Sequence, residues 1–138
     1  TADCVPIILF ADNGVGLIHA GWRGIVNGVI QNTVLQMRKE CSFLKAIIAP
    51  CISQDCYEVG EEVVSTFISN GIPREVFCRE ASPRPYIDLR SAVTHLLAAL
   101  DVELLYCDSR CTYSDTTLAS YRRDGPLAAR IITAVALL

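Results

Sequence analysis

The sequence VPIILFADNGVGLI, residues 5–18, places two short apolar segments on either side of an Asn-Gly pair. Asn and Gly tolerate the positive φ angles that tight turns require, so this pattern predicts a β-hairpin. The first strand covers Val5–Phe10, and the second runs from Val15 to His19-Ala20-Gly21. In such a hairpin the start of the first strand lies beside the end of the second.

Three later segments repeat apolar residues at steps of three and four, which indicates helices with one apolar face. They cover residues 22–39, 58–70 and 89–100, and Asp88 is placed to cap the last one. Apolar segments at 44–49 and 102–107 predict further strands. In the second helix we expect Val63, Val64, Phe67 and Ile68 to point inward, with Gly71 ending it.

The remaining segments read as connections and a short C-terminal region. Residues 72–86 contain three prolines and alternating charges, which favours an irregular surface connection. We expect a short strand at 119–123, a turn at Asp124-Gly125-Pro126 and a last strand or helix at 130–138. Because strands and helices interleave without a repeat, the pattern predicts one mixed α/β (α+β) domain over residues 1–138.

Composition excludes several classes of protein. Of 138 residues, 51% are hydrophobic and 20% charged, which argues against a disordered chain. The formal net charge is −3, so general nucleic-acid binding is not expected. No apolar run approaches the ~20 residues of a membrane span, so we expect no membrane partner either.

Seven cysteines, an odd number, do not suit a disulfide scaffold. We expect reduced thiols and a cytoplasmic protein, with Cys41, Cys78 and Cys107 acting as small buried apolar residues. The chain also opens on Thr1 without an initiator Met. We therefore expect the N-terminal part of a longer protein to be absent.

Cys4 and His19 flank the two neighbouring ends of the predicted hairpin. A thiolate and an imidazole at one sheet edge suit zinc or copper, although two ligands need a third from elsewhere. The same pair suits a cysteine nucleophile with a histidine base. The following turn carries Arg23 into a predicted helix N-terminus, which together would favour phosphate or carboxylate.

A second polar cluster is Ser120-Tyr121-Arg122-Arg123-Asp124-Gly125. Its adjacent arginines fit either a solvated hairpin tip or a clamp for phosphate or a ribose-bearing ligand. A third cluster, Cys56-Tyr57-Glu58-Val59-Gly60, is also consistent with a helix N-terminus whose acidic residues favour the helix dipole.

Taken together, the motifs of the chain resemble the YfiH-type laccase-domain family, also called polyphenol oxidase and regarded as purine nucleoside phosphorylase. In family order they are Thr1-Ala2-Asp3-Cys4-Val5-Pro6, His19-Ala20-Gly21-Trp22-Arg23-Gly24, Cys56-Tyr57-Glu58-Val59-Gly60, Cys111-Thr112 and Ser120-Tyr121-Arg122-Arg123-Asp124-Gly125. One departure stands out: the family usually continues the last motif with Thr-Gly-Arg-Gln, where this chain has Pro126-Leu127-Ala128-Ala129-Arg130. That segment is expected near the substrate.

The resemblance implies a layered α/β sandwich with a mixed sheet, forming a single laccase domain that is N-terminally truncated here. It implies a zinc held by Cys4, His19 and a second His upstream of residue 1, with copper as the alternative metal. His95 is expected at the surface and is no substitute ligand. The implied catalytic residues are Cys4, His19 and Arg23, and the implied substrate-binding residues are Arg23, Arg122 and Arg123.

The implied activity is phosphorolysis of adenosine, inosine, guanosine and methylthioadenosine, with some adenosine deamination. The implied partners are therefore a purine nucleoside and phosphate. Three alternatives stay open: a cysteine hydrolase that uses Cys4 and His19, a non-catalytic metal-binding domain, and a copper-dependent polyphenol oxidase. The last is least favoured, because the sequence has only two histidines.

Overall fold

The computed structural model describes residues 1–39 and 41–136. In chain order the strands are β1 (Val5–Phe10), β2 (Val15–Ala20), β3 (Lys45–Ile48), β4 (Cys78–Arg79), β5 (Tyr86–Ile87) and β6 (Glu103–Cys107). The helices are α1 (Trp22–Val26), α2 (Val29–Met37), α3 (Glu61–Ser69), α4 (Arg74–Phe77), α5 (Leu89–Ala99) and α6 (Tyr121–Asp124). Short 3₁₀ turns lie at Gln54–Cys56 and Gly125–Leu127.

A four-stranded mixed sheet, in the order β2-β1-β3-β6, forms the centre of the fold. β1 is antiparallel to both β2 and β3, whereas β3 and β6 run parallel. The parallel pair needs a long crossover, and residues 49–102 supply it with α3, α4, α5 and the small β4–β5 sheet. Helices α2 and α5 pack on the sheet and on each other, which confirms the layered α/β class.

The predicted hairpin is confirmed in both extent and register. Val5 pairs with Ala20, and Pro6 pairs with His19. Val5, Ile7 and Leu9 of β1 are fully buried, because alternate residues of this strand face the core. The hairpin thus places the residues just before β1 beside the end of β2.

The single helix predicted for 22–39 is wrong, because Gly28 interrupts it. Gly28 adopts φ +81°, a left-handed conformation that glycine enters without a Cβ clash. The helix predicted at 58–70 begins later, at Glu61, and Gly71 (φ +82°) follows its end as expected. Ile68 is 44% exposed, so the prediction that it points inward is also wrong.

The helix capped by Asp88 is confirmed. The Asp88 carboxylate accepts a hydrogen bond from the Ser91 backbone N–H at 3.0 Å. By contrast, residues 72–86 are not an irregular surface connection, since they contain α4 and β4 and lead into β5. Phe77 of α4 is fully buried and its ring stacks on Phe67 at a centroid distance of 4.7 Å.

The C-terminal predictions are largely corrected. Residues 121–124 form helix α6 rather than a strand, because the buried Ser120 hydroxyl accepts a hydrogen bond from the Arg123 N–H and caps a helical turn. The predicted turn is present as the 3₁₀ turn Gly125–Leu127. Residues 128–136 form neither strand nor helix, and Leu137 and Leu138 lie outside the described residues.

All seven cysteines are free thiols, which agrees with the reduced state expected from the sequence; the cytoplasmic location stays a prediction. Cys41, Cys78 and Cys107 pack against the core as expected, but they are only partly buried. The buried thiols are those of Cys51 and Cys111. Across the residues described, every helix is too short or too polar to cross a bilayer.

We expect Phe77→Ala to lower the free energy of unfolding by about 3–5 kcal/mol, because it empties a filled core position. Phe43→Ala is the matched control, since Phe43 is 46% exposed and its ring lies 5.8 Å from a lysine ammonium. The control should lose less than about 1 kcal/mol. Denaturant unfolding measures both, and equal losses would contradict the buried position of α4.

Candidate functional site

A cleft of about 610 Å³ opens where β1 begins and β2 ends. Four of the residues predicted from the sequence line it: Cys4, His19, Arg23 and Arg122. The other lining residues are Thr1, Ala2, Asp3, Trp22, Tyr57, Tyr121 and Arg130. The hairpin and α1 supply one wall, and the segments around Tyr57 and α6 supply the other.

Cys4 and His19 share this cleft because the hairpin register brings their strand ends together. Burial lowers the pKa of His19 below its usual value. The imidazole is therefore neutral near pH 7, the form that binds a metal. Burial and the neighbouring Asp3 charge raise the pKa of Cys4, which opposes the free thiolate that a cysteine nucleophile needs.

Gly21 makes room for the Cys4 thiol. A Cβ added at Gly21 would lie only 2.8 Å from Cys4 Sγ, well inside van der Waals contact. The backbone that leaves β2 therefore passes directly against the sulfur. Any side chain at Gly21 must turn the thiol away from its present position.

Asp3 is a buried carboxylate that fixes the geometry of Cys4. Its Oδ1 accepts a hydrogen bond from the Thr112 hydroxyl at 2.6 Å, and its Oδ2 accepts one from the Arg122 N–H at 2.7 Å. Its backbone has φ +88°, a conformation uncommon for a residue with a side chain. Two charge-assisted hydrogen bonds from opposite sides hold the residue there and so set the direction of the next residue, Cys4.

The two adjacent arginines have different surroundings. Arg122 lines the cleft, donates to the Glu58 carbonyl at 2.9 Å and lies over the Tyr57 ring at 4.9 Å. Arg123 is not among the lining residues, and its guanidinium donates to the carbonyls of the 112–118 loop and to Asp124. Arg123 thus holds the loop in place, while Arg122 faces the cleft.

Two further arginines add positive charge to the cleft. Arg23 lies over the Trp22 ring at 4.3 Å, and Arg130 lines the cleft from the segment where the sequence departs from its family. Helix α1 has only five residues, so its N-terminus contributes little of the helix dipole that a longer helix would supply. The anion-binding capacity therefore comes from arginine side chains.

The metal-binding potential of the site rests on two donors. Among residues 1–39 and 41–136, no three His, Cys, Asp or Glu side chains are grouped so that they could hold a metal ion. Cys4 and His19 nonetheless fit the sulfur and imidazole donors that zinc and copper favour. His95 is half-buried on α5 and does not line the cleft.

Sequence reasoning missed five lining side chains that define the cleft: Asp3, Trp22, Tyr57, Tyr121 and Arg130. Asp3, Trp22, Tyr57 and Tyr121 lie within the quoted motifs. The three aromatic residues each precede a charged residue, and this pairing was the available signal. Arg130 carried a weaker signal, because only its place in the divergent segment suggested that it lies near a substrate.

The whole chain, residues 1–138, matches the family described as multi-copper polyphenol oxidoreductase laccase. It is 33% identical to a purine nucleoside phosphorylase of Aquifex aeolicus over 139 aligned positions, covering 100% of this chain and 64% of that protein. It is 36% identical to adenosine deaminase RL5 of an unidentified prokaryote, covering 98% of this chain and 55% of that protein.

The structure superimposes on the crystal structure of the Bacillus licheniformis protein YfiH with a TM-score of 0.80 at 26% identity, covering 90% of this chain and 51% of that one. The chain thus spans little more than half the length of most of these proteins. The match to the family runs through every motif that lines the cleft. The chain belongs to the multi-copper polyphenol oxidoreductase laccase family, in its YfiH branch.

Proposed function

We propose that the cleft binds a purine nucleoside together with inorganic phosphate and catalyses phosphorolysis of the glycosidic bond. The observation that carries the proposal is the grouping of three arginines and three aromatic rings around Cys4 and His19. Relatives named purine nucleoside phosphorylase support it, as does the relative named adenosine deaminase, which also implies a purine nucleoside ligand. A volume of about 610 Å³ suits both substrates at once.

Arg23, Arg122 and Arg130 favour an anion in a chain whose overall charge is −3. The one carboxylate that lines the cleft, Asp3, is committed to Thr112 and the Arg122 N–H, so it adds little repulsion. Guanidinium groups bind phosphate oxygens in pairs, which fixes the direction of the nucleophilic oxygen. The arginines therefore both bind phosphate and aim it.

The aromatic side chains supply the surface for the base. Trp22 and Tyr57 already have arginines over their rings, at 4.3 and 4.9 Å, so each aromatic side chain lies next to a cation. Tyr121 is 53% exposed at the mouth of the cleft and is free to stack on a planar ligand. A purine on these rings would leave its ribose directed toward the arginines.

In phosphorolysis a phosphate oxygen forms a bond to C1′ as the C1′–N9 bond breaks. The electron pair leaves with the purine, which takes up a proton, and ribose 1-phosphate remains. Arg23 and Arg122 would hold the phosphate against C1′, and the cleft walls would exclude competing water. Adenosine, inosine, guanosine and methylthioadenosine share the bond that breaks, so all four are proposed substrates.

Cys4 and His19 would hold a zinc ion, together with the further histidine that the family resemblance implies. Copper is the alternative, because thiolate and imidazole suit both metals. When bound, such an ion supplies Lewis-acid polarisation of the substrate. Deamination of adenosine is the second candidate activity, and the relative named adenosine deaminase favours it.

We expect Gly21→Ala to weaken zinc binding by the full-length protein by about 10-fold or more, because the new methyl group displaces Cys4 Sγ from the cleft. Competition with a chromogenic zinc chelator measures the affinity directly. Gly14→Ala is the matched control, since a Cβ there meets no atom within 4 Å. Equal affinity of both variants would contradict the ligand role of Cys4.

We expect the zinc-loaded full-length protein to release hypoxanthine and ribose 1-phosphate from inosine only when phosphate is present. Arg122→Ala should raise KM for phosphate by about 10-fold, which corresponds to ~1.4 kcal/mol of lost binding. Arg84→Ala is the control, because Arg84 is exposed and does not line the cleft. Chromatography of the products gives the rates.

Three outcomes count against the proposal. Base release that does not depend on phosphate would indicate hydrolysis. Ammonia release from adenosine without base release would favour deamination as the sole activity. A zinc-loaded protein that turns over none of the four nucleosides would reject both activities and leave a metal-binding domain.

A further inference from the structure

Cys111 lies outside the cleft in a cradle of hydrogen-bond donors. Its Sγ accepts hydrogen bonds from the Ser53 hydroxyl at 3.0 Å and from the Ser53 backbone N–H at 3.3 Å. The hydroxyl and backbone N–H of Ser114 lie close enough to this sulfur to favour its thiolate form as well. The residue is 9% exposed. Four donors around one sulfur are more than a buried apolar thiol needs, so the cradle stabilises a charged sulfur.

A second cysteine lies near this sulfur. The Cys56 backbone N–H donates to the carbonyl of Ser53 at 3.1 Å, the Cys111 sulfur is close enough to raise the pKa of the Cys56 thiol, and Cys56 is partly exposed. It lines a separate cleft of about 300 Å³ beside Tyr113, two residues after Cys111. Cys56 lines this cleft and Cys111 does not, so a small solute that enters it meets Cys56 first, and the buried Cys111 sulfur lies behind that residue.

The donors and burial act on the two thiols in opposite directions. Burial alone would raise the pKa of Cys111, but the hydrogen bonds from Ser114 and Ser53 together outweigh it and lower the pKa to about 6. Burial raises the pKa of Cys56, which stays a thiol. At pH 7 the Cys111 sulfur is ~90% thiolate, and after allowance for its lower intrinsic nucleophilicity it is a few-fold more reactive than an ordinary thiol.

Cys51 is the other thiol near this place, and its surroundings differ. Its backbone forms an isolated parallel bridge with Cys111, but its side chain is fully buried near the Arg90 guanidinium. Burial raises the pKa of Cys51 to about 11. Cys51 is therefore an unreactive core residue, and Cys56 is the thiol placed to react with an oxidised Cys111.

We propose that Cys111 and Cys56 form a peroxide-sensitive thiol pair that closes to a reversible disulfide. The Cys111 thiolate attacks a peroxide oxygen, so that the O–O bond breaks and a sulfenic acid and hydroxide form. The Cys56 thiol then attacks the sulfenic sulfur, its proton leaves with the hydroxyl as water, and the S–S bond forms. Overall, two thiols and one hydrogen peroxide give one disulfide and two waters.

Each cysteine of the pair is followed in the chain by a residue that belongs to the candidate site or contacts it. Thr112, which donates to Asp3, follows Cys111, and Tyr57, which lies under Arg122, follows Cys56. The proposal does not depend on the phosphorylase activity, because its readout is the state of the sulfurs. Either proposal can fail while the other stands.

The test is brief exposure of the reduced full-length protein to equimolar hydrogen peroxide at pH 7, followed by alkylation and peptide mapping. We expect the loss of two thiols per chain, one cross-linked peptide containing Cys56 and Cys111, and full recovery with dithiothreitol. With no peroxide added, the rate of Cys111 alkylation should rise with pH about a midpoint near 6. A disulfide between other cysteines, or no loss of thiols, would overturn the proposal.

Single variants separate the two sulfurs. Cys56→Ser should stop the reaction at the sulfenic acid, detected as a dimedone adduct on Cys111, whereas Cys111→Ala should abolish both products. Cys41→Ser is the control, since Cys41 is partly exposed and should leave the reaction unchanged. An undiminished two-thiol loss in Cys111→Ala would overturn the proposal. If a variant does not fold, the mapping and pH profile of the unsubstituted protein decide the question.

Discussion

The carboxylate of Asp3 is the point at which three separate parts of the chain meet. It accepts hydrogen bonds from the Thr112 hydroxyl of one loop and from the Arg122 N–H of α6, while the backbone carbonyl of Asp3 accepts from the Ile52 N–H at 3.0 Å. Hydrogen bonds to a charged group are worth about 1.5–3 kcal/mol each, enough to hold a residue at φ +88°. The Arg122 side of the cleft is thereby tied to the start of β1.

The same interaction explains how an acidic chain forms a positive cleft. The acidic groups near α6 are already paired: Asp3 with its two donors, and Asp124 with Arg123, whose guanidinium lowers the pKa of that carboxyl. Arg122 and Arg23 keep their charges toward the cleft, held over aromatic rings rather than by carboxylates. The electrostatic potential in the cleft is therefore positive although the net charge of the chain is −3. The reason is that the carboxylates near α6 are paired with hydrogen-bond donors, whereas the cleft arginines are not paired with carboxylates of the described residues.

Local signals in the sequence predicted the hairpin, the Asp88-capped helix and the meeting of Cys4 with His19. All three depend on residues close in sequence or on a register that the Asn-Gly turn fixes. The helix predicted from Trp22 failed at Gly28, where a periodic apolar pattern continues across a left-handed residue. The prediction of an irregular connection at residues 72–86 failed. The prolines and charges of this segment suggest a loop, whereas its order comes from the packing of Phe77 on Phe67.

The sequence alone could not predict which of the two adjacent arginines, Arg122 or Arg123, faces the cleft. Successive residues on a helix project about 100° apart, so Arg122 and Arg123 leave α6 in different directions. Nothing in the pair itself says which one faces the cleft. The choice is made by the carbonyls at Thr112, Tyr113 and Leu118, which take up the Arg123 guanidinium, and by Asp3, which fixes the Arg122 backbone. These partners are 5 to 119 residues distant in the chain, so the division of roles belongs to the tertiary structure.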